Sequence, residues 1–250
     1  LHLVSGAVNG TVTVWNAITG SLEKTFQGSV GPQPCVDWSS DGQWLVSLGG
    51  DECIEIWDFE SGRKLVFPGA SAGGIKPVHF SPDGAHLANG AGQIVRVWDL
   101  ISPTGKPREL DGNAIWLGPV GRYWSPDGRR FVTRGAAGTT RVWDASTDRC
   151  THILRGHSRP ISAADWSPDG VRIATVSIDG KLKIWDSQTG RITLTLQGKD
   201  SAVFGVRWSP EGKSIATVGN HQSITIWDAS RAYEREQKDA ATSPGKGREE

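Results

Sequence analysis

A short motif that ends in Trp-Asp or Trp-Asn recurs six times along the chain at nearly constant spacing. Consecutive tryptophans of this motif lie 42, 41, 45, 42 and 42 residues apart. A period of this length indicates a repeated structural unit rather than six independent sites. The six copies read VTVWN, IEIWD, VRVWD, TRVWD, LKIWD and ITIWD, with their tryptophans at Trp15, Trp57, Trp98, Trp143, Trp185 and Trp227.

Each unit has the pattern of four short β-strands. In residues 150–186 the runs CTHIL, ISAADW, VRIATVS and KLKIWD are separated by turn sequences such as SPDG. Proline presets φ and glycine supplies a positive φ, so SPDG closes a tight turn. This turn occurs five times with small variations, at 39–42, 81–84, 125–128, 167–170 and 209–212. No window before the C-terminal tail has the apolar spacing of a helix, so an all-β fold is predicted.

Four antiparallel strands per unit, repeated around an axis, predict a β-propeller in which each sheet is one blade. We expect about six blades, followed by a polar tail over 229–250 that is a short helix or disordered. The first blade lacks an innermost strand and the last lacks an outer one. This favours part of a larger ring over a six-bladed ring that closes imperfectly. The expected blades span residues 1–26, 33–67, 75–110, 117–154, 160–197 and 203–228.

These motifs resemble those of the WD-repeat (β-transducin-like) propellers. The resemblance covers residues 1–228 and rests on six Trp-Asp or Trp-Asn endings in phase with five S-[PS]-[DE]-G turns. It implies a rigid, non-catalytic platform that binds protein or peptide partners on one face of the ring. The alternative is the sensor or substrate-recruiting region of a larger enzyme, such as a bacterial Ser/Thr kinase or NTPase. The scarcity of GH turns in the chain is typical of a bacterial regulatory protein.

The resemblance also implies a buried polar network within a blade, in which the members satisfy one another's hydrogen-bonding groups. One unit retains the whole set, which is His157, Thr175, Asp179 and Trp185. At the position of His157, two other units carry Ser29 and Lys199. We therefore expect the remaining blades to depend mainly on apolar packing.

The partner-binding face of such propellers carries the loops that enter each blade and the turns between second and third strands. Several residues there are unusual for plain loops, and aromatic and arginine side chains are common energetic anchors of interfaces. For Trp116 and Phe204 the alternative is packing between blades. The candidate binding residues are Ile115, Trp116, Arg159, Ile178, Phe204, Asn220 and His221.

Composition argues against several other functions. Lysine plus arginine and aspartate plus glutamate both number 27, so a bulk attraction to nucleic acid or to an anionic membrane is not indicated. No apolar run approaches the length of a membrane helix. The three cysteines, Cys35, Cys53 and Cys150, are few and far apart, which favours reduced thiols in a cytoplasmic protein.

No motif predicts catalysis, a cofactor or a metal. The six histidines lack zinc-like spacing to each other or to cysteine. An enzymatic propeller would need a cluster of carboxylates or histidines on its innermost strands. Asp37, His79 and Asp165 are available on those strands but form no coherent set, so we expect no catalytic residues.

Overall fold

The computed structural model describes residues 1–30, 35–48, 53–67, 78–91, 94–100, 106–110, 123–221 and 223–230. The β-strands in these ranges form six antiparallel sheets. The predicted all-β fold of propeller blades is therefore confirmed. Residues 231–250, most of the predicted tail, lie outside the described ranges.

Each sheet is built from consecutive strands, so the chain completes one sheet before it begins the next. The first is β1 (His2–Gly6), β2 (Thr11–Asn16) and β3 (Leu22–Gln27). The second is β4 (Val36–Trp38), β5 (Trp44–Leu48), β6 (Ile54–Asp58) and β7 (Lys64–Phe67). The third is β8 (Val78–Phe80), β9 (His86–Ala91), β10 (Ile94–Asp99) and β11 (Arg108–Leu110).

The remaining three sheets follow the same order. The fourth is β12 (Arg130–Arg134), β13 (Thr140–Asp144) and β14 (Cys150–Leu154). The fifth is β15 (Ile161–Trp166), β16 (Arg172–Ser177), β17 (Lys181–Asp186) and β18 (Ile192–Gln197). The sixth is β19 (Val203–Trp208), β20 (Ser214–Gly219) and β21 (Ile224–Asp228). The six repeat tryptophans lie on the strand that corresponds to the third of a blade.

For the blade expected over 117–154, most of the expected inner strand lies outside the described residues, so its completeness stays a prediction. Within the described residues its inner position is marked only by an isolated bridge between Trp124 and Phe131. Residues 111–122, which include most of the segment predicted to lead into this strand, lie outside the described ranges.

The aspartate of the repeated motif is a turn residue. Asp186 Oδ1 accepts hydrogen bonds from the backbone N–H of Gln188 and of Thr189 and from Thr189 Oγ1, at 3.1, 2.7 and 2.7 Å. Burial acts to raise the pKa of the Asp186 carboxyl, but these hydrogen bonds outweigh it and hold the pKa below its usual value. The carboxylate thus closes the turn between the third and fourth strands, which is a structural role.

Apolar packing joins each sheet to the next along the chain. Of the four apolar clusters, one joins the first and second sheets, one the second and third, one the third to fifth, and one the fifth and sixth. Trp185 of β17 is 2% exposed and belongs to the cluster shared with the fourth sheet. On the opposite face of β17, Leu182 and Ile184 are 1% and 0% exposed, in the cluster shared with the sixth sheet.

Within the described residues, the last sheet has no such cover on its outer face. Ile224 and Ile226 hold the positions on β21 that Leu182 and Ile184 hold on β17, yet they are 71% and 65% exposed. The described residues therefore leave the far side of the sixth sheet open. Whether the chain forms part of a larger ring stays a prediction.

This contrast predicts unequal costs for two equivalent substitutions. Ile184→Ala should lower the free energy of unfolding by about 2–5 kcal/mol, because it leaves a cavity between two sheets. Ile226→Ala should change it by about 0.5 kcal/mol or less, because the side chain is mostly exposed. Urea denaturation followed by tryptophan fluorescence measures both, and equal losses would contradict the packing described.

Candidate partner-binding surface

The turns between second and third strands lie directly against the loops that enter the next sheet. Gly138 and Gly180 occupy two of these turns with φ of 72° and 78°. A Cβ atom on Gly138 would lie 2.6 Å from the carbonyl oxygen of Arg159, and one on Gly180 would lie 2.7 Å from that of Asp200. Only glycine satisfies both the backbone conformation and the close approach. These turns and loops consequently form one continuous packed surface.

Arg159 and Ile178 lie together on the part of this surface that belongs to the fifth sheet. Ser177 Oγ donates to the carbonyl oxygen of Arg159 at 2.9 Å, and the N–H of Ile178 donates to that of Pro160 at 3.3 Å. The Arg159 side chain is exposed and that of Ile178 is half-buried. The backbone of both residues is thus held in place while the guanidinium remains available to a partner.

Asn220 and His221 occupy the equivalent turn of the sixth sheet, beside the loop over 198–202. Asn220 Nδ2 donates to Ser201 Oγ at 3.0 Å. The buried carboxylate of Asp200 accepts from Ser223 Oγ at 2.7 Å and from the N–H of His221 at 3.4 Å. The side chains of Asn220 and His221 are exposed. The turn is therefore fixed from below by Asp200 and presents polar groups outward.

Phe204 follows this loop in β19 and is 50% exposed, so it is not enclosed between sheets of the described chain. Five of the seven candidate residues thus lie on or beside the loops of two neighbouring sheets. The other two, Ile115 and Trp116, lie outside the described residues.

The structure also brings together the four residues of the expected polar network. His157 Nδ1 lies 2.9 and 3.1 Å from the two carboxylate oxygens of Asp179, and His157 Nε2 lies 2.9 Å from Thr175 Oγ1. Trp185 Nε1 donates to the same hydroxyl at 2.8 Å. Asp179 also accepts from the N–H of Ser158 at 3.0 Å, which ties the network to the loop that carries Arg159.

The protonation states of this network follow from its burial. Burial lowers the pKa of His157, and the hydrogen bond and charge of Asp179 oppose that shift only in part. Burial acts to raise the pKa of Asp179, but hydrogen bonds from His157 and from the Ser158 N–H prevail and leave it below its usual value. The folded state therefore favours a neutral imidazole beside an ionised carboxylate.

The second sheet adds polar contacts to the apolar packing expected of the other blades. There Ser29, at the position of His157, donates from both its N–H and its Oγ to the Glu55 carboxylate, each at 2.9 Å. Lys64 forms an ion pair with the same carboxylate, whose side chain is only 2% exposed. The signal for these contacts in the sequence was Glu55 itself, because a carboxylate on a buried third strand requires compensating partners.

The indole bond of the network is also more widespread than the sequence suggested. Trp143 Nε1 donates to Thr133 Oγ1 at 2.8 Å, and Trp227 Nε1 donates to Thr217 Oγ1 at 2.8 Å. Each pair links the second and third strands of its sheet. This bond is thus retained in sheets that lack the histidine.

The innermost strands carry carboxylates that bond to neighbouring strands. Asp37 Oδ2 accepts from the N–H of Phe80 at 3.0 Å and lies 3.3 Å from His79 Nδ1. Asp165 is fully buried and accepts from the N–H of Trp208 at 2.6 Å. Both carboxylates therefore tie one sheet to the next.

Other chemistry is not indicated within the described ranges. No group of three or more His, Cys, Asp or Glu residues there is arranged to hold a metal ion. Among the same residues, no helix has both the length and the apolar character needed to cross a bilayer. The three cysteines form no disulfide with one another in the structure.

Comparison with known proteins identifies the repeat. The sequence matches the family described as WD domain, G-beta repeat, and the matched segments together cover more than half of the chain. The segments are residues 20–58, 65–99, 148–186 and 190–228.

Individual relatives come from several eukaryotes. The chain is 31% identical over 160 residues to nuclear distribution protein PAC1 of Arthroderma otae, which covers 58% of this chain and 33% of the relative. It is 27% identical over 143 residues to a guanine nucleotide-binding protein subunit beta of Schizosaccharomyces pombe, which covers 57% and 46%. It is 31% identical over 148 residues to small ribosomal subunit protein RACK1y of rice (Oryza sativa subsp. japonica), which covers 58% and 44%.

The chain thus matches between a third and a half of the length of these relatives. Since these relatives are eukaryotic, they give no support to the expectation of a bacterial multi-domain regulator or of a bacterial kinase.

The polar network predicts a loss of stability when one member is removed. Asp179→Ala should lower the free energy of unfolding by roughly 1–3 kcal/mol, because it leaves His157 Nδ1 and the Ser158 N–H without their acceptor. Chemical denaturation measures this, with the exposed Gln188→Ala as a control that should be neutral. An unfolding midpoint unchanged in Asp179→Ala would refute the prediction.

The network also predicts a pH dependence. Because the pKa of His157 is depressed in the folded state, its contribution to the free energy of unfolding is complete above the ordinary histidine pKa of about 6.5. The contribution is lost as the pH falls through the folded-state pKa, because the unfolded chain binds the proton more readily. The stability difference between the wild type and His157→Gln should therefore shrink between pH 7.5 and pH 5, as measured by denaturation at each pH. A constant difference would contradict a neutral buried imidazole.

Proposed function

Since the chain belongs to the WD-repeat family, we propose that it is a non-catalytic platform that binds a protein or peptide partner. The partner contacts the surface formed by the loops of the fifth and sixth sheets, around Arg159, Phe204 and His221. The three cysteines of this chain form no disulfide, which fits a reducing compartment such as the cytoplasm. The curated relatives are described by name as a G-protein subunit, a ribosomal subunit protein and a nuclear distribution protein, none of which names a reaction.

The observation that carries this proposal is an exposed set of side chains on a rigid base. The backbone of Arg159 and Asn220 is held by hydrogen bonds from neighbouring segments, and both side chains are exposed. Rigid presentation reduces the entropy lost when a partner binds. An arginine and an exposed aromatic ring are the side chains that most often dominate the binding energy of an interface.

The surface combines exposed basic side chains with apolar groups. Arg155, Arg159 and Lys199 are exposed, whereas the carboxylate of Asp179 is buried in the polar network. With equal numbers of acidic and basic residues in the whole chain, no long-range field favours a nucleic acid. A protein or peptide partner that combines apolar and polar contacts fits this composition best.

Substitution on this surface should weaken partner binding without affecting the fold. In cells that express the protein, affinity capture with quantitative mass spectrometry compares the wild type with Arg159→Ala/Phe204→Ser. Because truncating an anchor costs about 2 kcal/mol, captured partners should bind roughly 30-fold more weakly.

The control is Arg191→Ala, which removes an exposed arginine from the opposite end of the fifth sheet. Its set of captured partners should match that of the wild type. The proposal fails if both variants retain the same partners, or if Arg191→Ala loses the partners that Arg159→Ala/Phe204→Ser retains.

A further inference from the structure

A cluster of basic side chains lies on the loop surface of the fifth and sixth sheets. Three segments form this part of the surface, residues 155–160, 178–181 and 198–203, and we call them together the basic surface. The charged side chains that reach solvent there are all positive. They are Arg155, Arg159 and Lys199, which are exposed, and Lys181, which is half-buried.

Direct contacts hold the three segments together. The N–H of Ser158 donates to the Asp179 carboxylate at 3.0 Å, which joins the first segment to the second. A Cβ atom on Gly180 would lie 2.7 Å from the carbonyl oxygen of Asp200, so the second segment touches the third. The four basic side chains therefore belong to one packed surface and can contact a single ligand.

The two acidic residues of the basic surface are buried. The side chain of Asp179 is 3% exposed, and its Oδ1 also accepts from the N–H of Lys181 at 3.0 Å. Asp200 is 9% exposed and accepts from Ser223 and from the N–H of His221. The basic surface thus has four basic residues against two acidic ones, and the acidic pair is shielded from a ligand.

Within the described chain, none of the four basic side chains forms an ion pair. Other basic side chains of the described residues do pair with carboxylates. Arg96 pairs with Glu109 at 2.8 Å, and Arg108 pairs with Asp148 at 2.7 Å. The basic surface therefore lacks the counter-charge that basic residues have elsewhere in this fold.

The electrostatics beneath the surface agree with this excess of positive charge. Lys183 lies on β17 and is 7% exposed. Burial and the charge of Lys181 lower the pKa of Lys183, and the opposing effect of Asp179 is smaller. A ligand with negative charge would relieve this repulsion between cations.

The opposite ends of the same two sheets do not share this bias. Their exposed charged residues include both signs, namely Asp169, Arg191, Glu211 and Lys213. The whole chain is also balanced, with 27 basic and 27 acidic residues. The positive charge is therefore concentrated at the end of the sheets that carries the candidate binding loops.

We propose that the basic surface binds an acidic, extended segment of a partner protein. Aspartate and glutamate side chains of that segment pair with the four basic residues, and an apolar side chain beside them contacts Ile178. This inference rests on the proposed function, since it names the chemistry of the partner that the loop surface binds. Hydrogen bonds between ionised groups are stronger than neutral ones, and local positive charge speeds the approach of an anionic ligand.

A nucleic acid matches the basic surface less well. Its binding requires lysines and arginines at many phosphates, whereas the basic residues here exceed the acidic ones by only two. The half-buried Ile178 and the exposed Pro160 lie among the basic side chains and offer apolar contacts. An acidic peptide uses both the charges and the apolar groups.

The probe is a library of random linear peptides displayed on phage. It is selected in parallel against the immobilised full chain and against Arg159→Ala/Phe204→Ser, so that peptides recovered by the wild type alone depend on the loop surface. These peptides should be enriched in aspartate and glutamate relative to the unselected library.

Charge reversal then tests the pairing, with fluorescent copies of the recovered peptides measured by fluorescence anisotropy. Arg155→Glu/Lys199→Glu should weaken binding by about tenfold or more, because two attractive charges become repulsive. Arg155→Lys/Lys199→Arg keeps both charges and should stay within about threefold of the wild type. The control Arg191→Glu, at the opposite end of the fifth sheet, should have no effect. All three positions are exposed, so near-ultraviolet circular dichroism should show the same fold in every variant.

Three results would overturn the inference. Acidic peptides could bind Arg155→Glu/Lys199→Glu as tightly as the wild type. Peptides that depend on the loop surface could lack acidic residues, or none could depend on it. In these cases the affinity capture with Arg159→Ala/Phe204→Ser still decides the proposed function separately. A single-stranded oligonucleotide could bind more tightly than acidic peptides of equal charge, which would assign the surface to a nucleic acid.

Discussion

The structure depends on the burial of third-strand side chains between neighbouring sheets. A sheet of three or four strands, each three to six residues long, is marginal by itself. Stacking gives every internal third strand two apolar contacts, a tryptophan toward the preceding sheet and one or two aliphatic side chains toward the following one. A buried tryptophan removes on the order of 150–250 Å² from water, so these contacts dominate the stability of each joint.

The stacking also determines where side chains are available for binding. The turns between second and third strands are pressed against the incoming loop of the next sheet, as the positions of Gly138 and Gly180 show. Loops held in this way cannot collapse onto the sheets, so Arg159 and Asn220 remain at the surface. The position of the candidate site thus follows from the same packing that stabilises the fold.

Much of this architecture could be predicted from the repeat alone. The spacing of the tryptophans and the five S-[PS]-[DE]-G turns determined the number of units, the strand type and the strand that carries Trp185. The partners of His157 were predicted because the resemblance specifies residue types at known offsets. The Ser29–Glu55 bonds were not predicted. Ser29 occupies the position of His157, but its acceptor Glu55 lies on the third strand and not at the turn position of Asp179. The role of Asp165 was missed since its partner lies on another sheet.

The bonds between innermost strands join residues one repeat apart. Asp37 accepts from Phe80 and Asp165 from Trp208, in each case across 43 residues, and Trp166 Nε1 donates to the carbonyl oxygen of Tyr123 across the same interval. The fifth unit carries both halves of such an attachment, the Asp165 acceptor for its successor and the Trp166 donor for its predecessor. Tandem duplication of this unit would therefore copy a blade together with both halves of its attachment, so that a chain of this type can lengthen by a whole blade without a new kind of interface.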